Sequence, residues 1–175
     1  MNDARVESRI GAILFTDLVG FTEYTDACGD IAAVTLLDQQ QVIVSNALVE
    51  FSDCRIVKEL GDGLMVWFAH VVDGLAAAVR ILQSIGTARD DSGFPLGVRM
   101  GMHAGEVIER GEDFVGHTVN IASRVSDLAG PGELVVSEQV VRAVAGESAA
   151  ATFRPIGPVR VKGVSEPIWL HRLVS

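Results

Sequence analysis

The sequence predicts an α+β fold, with a ferredoxin-like βαββαβ core and a C-terminal extension. Short apolar runs of the kind that form buried strands alternate with segments whose apolar residues recur every three or four positions. A Gly-Asp-Gly turn at residues 61–63 joins two of the apolar runs, which is a hairpin signal. The resulting order of strand, helix, strand, strand, helix and strand is that of a split βαβ unit.

The first strand is expected at residues 10–16, and a helix follows it. Asp30 suits the N-cap of this helix. The apolar residues beyond Asp30 recur at helical spacing, which predicts one helix face packed on the sheet. The residues of that face are Ile31, Val34, Leu37, Val44, Leu48 and Phe51.

The predicted hairpin consists of strands at residues 55–60 and 64–68. A second helix is expected at residues 71–86, followed by a loop with solvated acids at residues 89–93. The fourth strand, at residues 98–107, carries glycines at alternate or nearly alternate positions. Such glycines suggest that another backbone element approaches the strand closely.

The remaining third of the chain is expected to add two short helices and three strands to this core. We expect the whole chain, residues 1–175, to form one domain, with its core at about residues 10–173. The further elements are a helix at 118–128, a strand at 133–137, a helix at 138–144, a mobile loop at 146–151 and strands at 153–160 and 167–173.

The composition fits a compact globular enzyme, with 49% apolar and 21% charged residues. The formal net charge of −9 argues against sequence-independent binding of DNA or RNA and against adsorption to an anionic membrane. Cys28 and Cys54 lie far apart in the sequence and indicate a reducing compartment. Residues 1–9 contain no leader-like apolar segment, and no run of about 18 uncharged apolar residues follows. We therefore expect a cytoplasmic protein without a membrane span.

The end of the first strand combines features that suit a metal ion carrying phosphates. Asp17 follows the apolar run, and Gly20 permits a ligand to approach the backbone closely. Phe21 and Thr22 then open the next helix. In the predicted topology the first strand is antiparallel to the third, so Asp17 meets Asp62 of the hairpin turn. A pair of divalent cations would relieve the repulsion between these carboxylates, and oxygen ligands favour Mg²⁺ or Mn²⁺. A solvated strand end and a plain turn residue are the ordinary alternatives for these two acids.

A second set of candidate residues includes Asn120 and Arg124, which stand four positions apart on a predicted helix and share a face. They offer a neutral donor and a guanidinium to negative charge that develops on phosphorus or on a ribose oxygen. Lys58 and Asp113 are a cation and a carboxylate able to read the edge of a purine. Solvated helix residues and a surface ion pair are the alternatives for these two pairs.

Four stretches of the sequence resemble the catalytic domain of class III nucleotidyl cyclases. They occur in the order that the family has, and the likeness runs from about Ile10 to the C-terminus. The stretches are residues 15–22 (FTDLVGFT), 58–63 (KELGDG), 101–105 (GMHAG) and 119–124 (VNIASR).

The resemblance implies a role for most of the candidate residues. Asp17 and Asp62 would hold two metal ions on a triphosphate, and the amides of the turn at residues 20–22 would contact its phosphates. Lys58 and Asp113 occupy the positions that select the purine. Adenylyl cyclases of this family have Lys with Asp there, whereas guanylyl cyclases have Glu with a small residue such as Cys.

The same resemblance implies that Asn120 orients the ribose and that Arg124 stabilises charge on the transferring phosphorus. Lys162 would contact the terminal phosphates. His103 and His117 have no role in the family's pattern, and we expect the first to pack within a strand and the second to be exposed.

The resemblance therefore implies an adenylyl cyclase that converts ATP to 3′,5′-cyclic AMP and pyrophosphate with two Mg²⁺ or Mn²⁺ ions. It also implies a head-to-tail homodimer, in which one chain supplies the metal-binding aspartates and the other chain supplies the purine, ribose and phosphorus contacts. Two alternatives stay open at this point. One is a guanylyl or mixed-specificity cyclase, and the other is a nucleotide-sensing module without catalysis.

Overall fold

The computed structural model describes residues 6–147 and 151–174, which form one eight-stranded sheet covered by helices. In chain order the elements are β1 (Val6–Val19), α1 (Phe21–Cys28), α2 (Asp30–Leu48), β2 (Cys54–Leu60), β3 (Gly63–Phe68), α3 (Val71–Ser92), β4 (Gly97–Arg110), β5 (Asp113–Val115), α4 (His117–Ser126), β6 (Leu134–Ser137), α5 (Glu138–Val144), β7 (Phe153–Val159) and β8 (Ile168–Leu173).

The sheet confirms the predicted ferredoxin-like core and its C-terminal extension. The strand order is β2-β3-β1-β4-β6-β8-β7, and β5 pairs with β4 outside this path. β1 is antiparallel to both of its neighbours, β3 and β4. β6 runs parallel to β4, and the β7–β8 hairpin completes the extension.

The two faces of the sheet carry separate cores, because successive residues of a strand point to opposite faces. Leu14, Val66 and Met100 belong to the larger core, which packs under α2, α3 and α5. Trp67 and Phe114 belong to the smaller core under α4, where their rings stack at a centroid distance of 5.0 Å.

The inward face predicted for the helix after the first strand is wrong in part. Ile31 and Val34 are exposed, whereas Ala33 and Leu36 are buried against the sheet. Apolar residues occupy both sides of α2, so their spacing alone could not identify the side that packs. Phe51 lies beyond the end of the helix, which stops at Leu48.

The predicted N-cap at Asp30 is also wrong. Gly29 caps α2, because a separate short helix, α1, occupies residues 21–28 and ends at the same glycine. The Gly29 amide donates to the carbonyl of Thr25, and the Gly29 carbonyl accepts from the amide of Ala33. One glycine therefore joins the two helices.

Several elements are longer than predicted. β1 pairs with β4 over its whole length, from Val6 opposite Arg110 to Val19 opposite Gly97. The loop predicted at residues 89–93 is wrong, because α3 continues to Ser92. The short strand β5 was not predicted. The predicted mobile loop at residues 146–151 includes residues 148–150, which lie outside the described residues.

Helix α3 is long and apolar enough, by length and composition alone, to cross a membrane. In this fold, however, Leu75, Ala78, Ile81 and Ile85 are buried in the larger core. α3 therefore acts as a core helix of the sheet.

The glycines of β4 allow the close approach that the sequence suggested. A Cβ at Gly101 would collide with the backbone nitrogen of Ser126 in α4, and a Cβ at Gly105 would lie 2.7 Å from Thr118 Oγ1. α4 thus lies closer to the sheet than a side chain at position 101 would permit.

His103 packs within β4, as expected, with 4% of its surface exposed and Nδ1 2.8 Å from Ser137 Oγ. Burial, and to a smaller extent the charge of His117, lowers the pKa of His103 to about 4. The ring is therefore neutral near pH 7. His117 is exposed, which confirms the second expectation.

We predict that Gly101→Ala lowers the free energy of unfolding by roughly 1–3 kcal/mol, because the added methyl overpacks the contact between β4 and α4. Gly86→Ala is the matched control, since Gly86 lies in α3 with nothing within 4 Å of an added Cβ. The control change should raise stability by about 0.5–1 kcal/mol through helix propensity. Urea unfolding followed by circular dichroism measures both values, and equal effects at the two sites would contradict the packing argument.

Candidate active site

A cavity of about 310 Å³ lies where β1 leads into α1. Asp17 reaches it from within β1, since the strand continues for two residues beyond the aspartate to Val19. The cavity is lined by Asp17, Leu18, Val19, Gly20, Phe21, Thr22, Glu23, Asp62 and Arg99.

Asp62 reaches the same cavity from the β2–β3 turn, as the topology predicted. The antiparallel pairing of β1 with β3 ends with Thr16 opposite Leu64, which places the turn beside Asp17. Gly63 permits this approach, because a Cβ there would lie 2.7 Å from the carbonyl oxygen of Thr16 and 3.7 Å from Asp17 Oδ1.

The environment of Asp62 disfavours its charged form. Burial raises the pKa of the Asp62 carboxyl, and the charge of Asp17 and a side-chain hydrogen bond between the two acids raise it further. The two carboxylates are therefore close enough to repel one another when both are ionised.

Arg99 is a cavity residue that the sequence analysis missed. Its Nε and Nη2 both donate to Asp17 Oδ2 at 2.6 Å. This guanidinium adds a positive charge beside the two acids. Arg99 lies directly opposite Asp17 in the β1–β4 pairing, so only the register of these strands could have revealed the contact.

The turn after β1 presents backbone donors to the cavity. Gly20 has φ 83°, a left-handed conformation that favours glycine, and it caps the N-terminus of α1. The carbonyl of Gly20 accepts from the amide of Tyr24. The backbone amides of the first turn of α1, which come before Tyr24, have no acceptor within the helix. Phe21 and Thr22 belong to that first turn. Free amides at a helix N-terminus bind phosphate groups well.

The residues of this cavity fit a divalent cation that is shared with a substrate. Among the described residues no group of three or more His, Cys, Asp or Glu side chains could hold a metal ion. Mg²⁺ commonly binds one or two carboxylates together with substrate phosphates, so two aspartates suffice. The close contact of Asp17 with Asp62 supplies the negative charge that such a cation would neutralise.

Lys58 and Asp113 form an ion pair, although 55 residues separate them in the sequence. Lys58 Nζ lies 2.7 Å from Asp113 Oδ2, and the two side chains are 36% and 42% exposed. Asp113 Oδ1 also accepts from the amide of Phe114 at 2.8 Å. β2 supplies the lysine and the unpredicted strand β5 supplies the aspartate, so the fold brings the predicted pair together.

Asn120 and Arg124 are both exposed and lie one turn apart on α4. Arg124 Nη1 lies 3.5 Å from Asp127 Oδ2, in a solvated pair within the same helix region. Lys162 is exposed in the turn between β7 and β8. Over residues 6–147 and 151–174, no hydrogen bond or ion pair joins these residues to the cavity that holds Asp17 and Asp62.

The family model for the adenylate and guanylate cyclase catalytic domain matches residues 7–173. A curated relative, named putative adenylate cyclase 3 of Rhizobium meliloti, is 28% identical over 165 residues, which are 93% of this chain. Those residues are only 28% of the relative, so the chain spans less than a third of that protein's length.

Solved cyclase structures share the fold. The adenylyl cyclase CyaB from P. aeruginosa superposes with a TM-score of 0.88 at 22% identity, covering 98% of this chain and 96% of that one. The guanylate cyclase domain of RhGC from Catenaria anguillulae, in complex with GTP, gives a TM-score of 0.85 at 18% identity and covers 97% and 98%. At these identities the likeness establishes the fold alone.

We predict that Asp62→Asn stabilises the metal-free protein near pH 7. A raised pKa means that the folded state holds the proton of Asp62 more tightly than the unfolded chain does. The ionised carboxylate therefore costs stability above the folded pKa, and this cost disappears as the pH falls below the unfolded pKa. The gain in the free energy of unfolding from Asp62→Asn should therefore shrink as the pH falls. Urea unfolding from pH 7 down to pH 4 measures this change.

Glu112→Gln, an exposed change in the β4–β5 turn, is the control for the loss of one acid. It should show no comparable gain at pH 7. A destabilised Asp62→Asn variant at neutral pH would contradict the repulsion between the two aspartates.

Proposed function

The chain belongs to the family of adenylate and guanylate cyclase catalytic domains, and we propose that it is an adenylyl cyclase that converts ATP to 3′,5′-cyclic AMP and pyrophosphate. The observation that carries this choice of substrate is the pair formed by Lys58 and Asp113. The proposal treats residues 1–175 as one catalytic domain of a cytoplasmic protein.

The chemistry of the Lys58–Asp113 pair favours adenine. Adenine offers an acceptor at N1 to an ammonium group and a donor at N6 to a carboxylate, whereas guanine presents the reverse pattern. The two side chains are joined at 2.7 Å and are partly exposed, so both can exchange this contact for a base edge. The name of the Rhizobium meliloti relative agrees with this choice.

The cavity beside α1 has the donors and acceptors that a metal-bound triphosphate needs. Asp17 and Asp62 would hold two Mg²⁺ or Mn²⁺ ions, and the turn amides at residues 20–22 would bind phosphate oxygens. Arg99 adds a cation to the same cavity and can bind phosphate once Asp17 faces a metal ion. The bound ions would lower the pKa of the ribose 3′-hydroxyl and offset charge on the pyrophosphate.

The reaction forms one phosphorus–oxygen bond and breaks another. The ribose 3′-oxygen attacks the α-phosphorus, the bond from that phosphorus to the bridging oxygen breaks, and pyrophosphate leaves. The proton of the hydroxyl passes to Asp17 or to bulk water. Asn120 orients the ribose, Arg124 stabilises charge on the transferring phosphorus, and Lys162 contacts the terminal phosphates.

Two chains would be needed to assemble this site. No described hydrogen bond or ion pair links the Asp17 cavity to Lys58, Asp113, Asn120 or Arg124 within one chain. A head-to-tail homodimer, as the family resemblance implies, would place the cavity of one protomer against α4 and the Lys58–Asp113 pair of its partner.

We predict that the purified protein makes cyclic AMP from ATP in the presence of Mn²⁺. Asp17→Ala and Arg124→Ala should each lower turnover by roughly 10²–10³-fold. Asp17→Ala removes a ligand of the metal ions, and Arg124→Ala removes a positive charge from the transferring phosphorus. Arg142→Ala is the matched control for Arg124→Ala, since Arg142 is also an exposed helical arginine paired with an acid. A folded protein without cyclic nucleotide product would refute the catalytic proposal and leave the nucleotide-sensing alternative.

We predict that Lys58→Glu combined with Asp113→Cys shifts the preference between the two purines toward GTP. The new pair offers an acceptor where the lysine offered a donor, so the ratio of kcat/KM for ATP to that for GTP should fall by about tenfold or more. The ratio is measured with both nucleotides at several Mn²⁺ concentrations. A wild-type protein that turns over GTP as well as ATP would instead establish a mixed-specificity cyclase.

We predict that two inactive variants complement one another. In a mixture of Asp17→Ala and Arg124→Ala, half of the dimers are mixed and each mixed dimer has one intact site. Activity should therefore return to about a quarter of the wild-type value if the site is shared across a symmetric dimer. The mixed sample is assayed against each variant alone, and absence of any recovery after subunit exchange would contradict the shared site.

A further inference from the structure

An exposed apolar stripe runs along the outer face of α2 and onto its C-cap residue, Val49. Ile31 is 87% exposed, Val34 57%, Val42 58% and Val49 78%. Their spacing of three, eight and seven residues places all four on one side of the helix, with Asp38 on the same side between Val34 and Val42. We call these five residues the α2 stripe. From Ile31 to Val49 it extends about 27 Å, at 1.5 Å per residue.

α2 has one polar residue on its buried side and several apolar residues on its exposed side. Gln40 faces the core with 2% of its surface exposed, and its Nε2 has no hydrogen-bond partner among the described residues. The outer face, in contrast, carries β-branched side chains, which are poorer helix formers than the Ala, Glu or Lys usual at such positions. Exposed Thr35 and Ser45 lie between these residues on the same side, so the face alternates apolar and polar side chains. Apolar side chains repeated along one exposed helix face suit contact with the apolar face of another helix.

The charge around the α2 stripe defines what can cover it. Residues 21–54 contain no Lys, Arg or His. Their acids are Glu23, Asp26, Asp30, Asp38, Glu50 and Asp53. Glu50 and Asp53 lie within ion-pair distance of Arg80 and His70, but no described cation pairs with Asp38. The apolar face is therefore set in an uncompensated negative field.

We propose that the α2 stripe is the docking site of a basic amphipathic helix from a protein partner. Leucine-like anchors at helical spacing would cover Ile31, Val34, Val42 and Val49, while Lys or Arg residues beside them would pair with Asp38 and its acidic surroundings. A second copy of this chain is a poor partner for the α2 stripe, because symmetric pairing of two such faces would bring their acidic residues together. An anionic membrane surface is repelled for the same reason.

The test uses the intact protein and a fluorescein-labelled synthetic helix of 18 residues, with Leu at positions a and d of each heptad and Lys elsewhere on its flanks. Fluorescence anisotropy should show binding that weakens as salt rises. A scrambled peptide of the same composition, and a peptide with Glu in place of Lys, should bind at least about tenfold more weakly. Equal binding of either control peptide would overturn the proposal.

Variants of the protein then locate the contact. The double change Val34→Gln and Val42→Gln keeps good helix formers in α2 and should lower the affinity for the basic peptide by about tenfold. Asp38→Asn should reduce the salt dependence of that affinity. Leu128→Gln, which alters an exposed apolar residue outside the α2 stripe, should leave the affinity unchanged. An unchanged affinity in the double variant would overturn the proposal.

Sedimentation of the wild type and the double variant without peptide separates a second copy of the chain from a different partner. The same size for both proteins is expected. A smaller size for the double variant would show that a copy of this chain already occupies the α2 stripe, and would also overturn the proposal. None of these measurements depends on catalytic activity, so the proposed function can fail independently.

Discussion

The antiparallel pairing of β1 with β3 on one side and with β4 on the other is the constraint that builds the candidate site. The first pairing brings the β2–β3 turn, and with it Asp62, to the end of β1. The second places Arg99 directly opposite Asp17. Three charged side chains distant in sequence thus meet because one central strand has two partners in fixed register, and Gly63 leaves the space in which they meet.

The charge balance of the cavity makes the proposed chemistry depend on cations. Asp17, Glu23 and Asp62 line it together with the single guanidinium of Arg99. A cavity with more carboxylates than cations repels a bare triphosphate and attracts a triphosphate that carries divalent ions. This balance also explains how a chain with a formal net charge of −9 can belong to a family that acts on nucleotides. The Arg99–Asp17 contact holds the carboxylate at the edge of this cavity.

Much of this arrangement followed from the sequence, and the failures have physical causes. The antiparallel pairing of the first strand with the third, and the meeting of Asp17 with Asp62, followed from the βαββαβ pattern, because topology fixes which strand ends are neighbours. The contact of Arg99 did not, because it requires the residue-by-residue register of β1 and β4. The inner face of α2 was wrong because apolar residues lie on both of its sides. Lys58 and Asp113 were paired through the family resemblance, since nothing local in the sequence revealed β5.

The central claim is that Asp17 and Asp62 hold divalent cations beneath a triphosphate, and Mn²⁺ binding followed by electron paramagnetic resonance tests it most directly. With a non-hydrolysable ATP analogue, the wild-type protein should bind two Mn²⁺ ions per site, close enough for their spins to couple, at the spacing of about 3.5–4 Å typical of two-metal sites. Asp17→Asn should lose the coupled signal. A wild-type protein without coupled Mn²⁺, or an Asp17→Asn variant that retains it, would contradict the account.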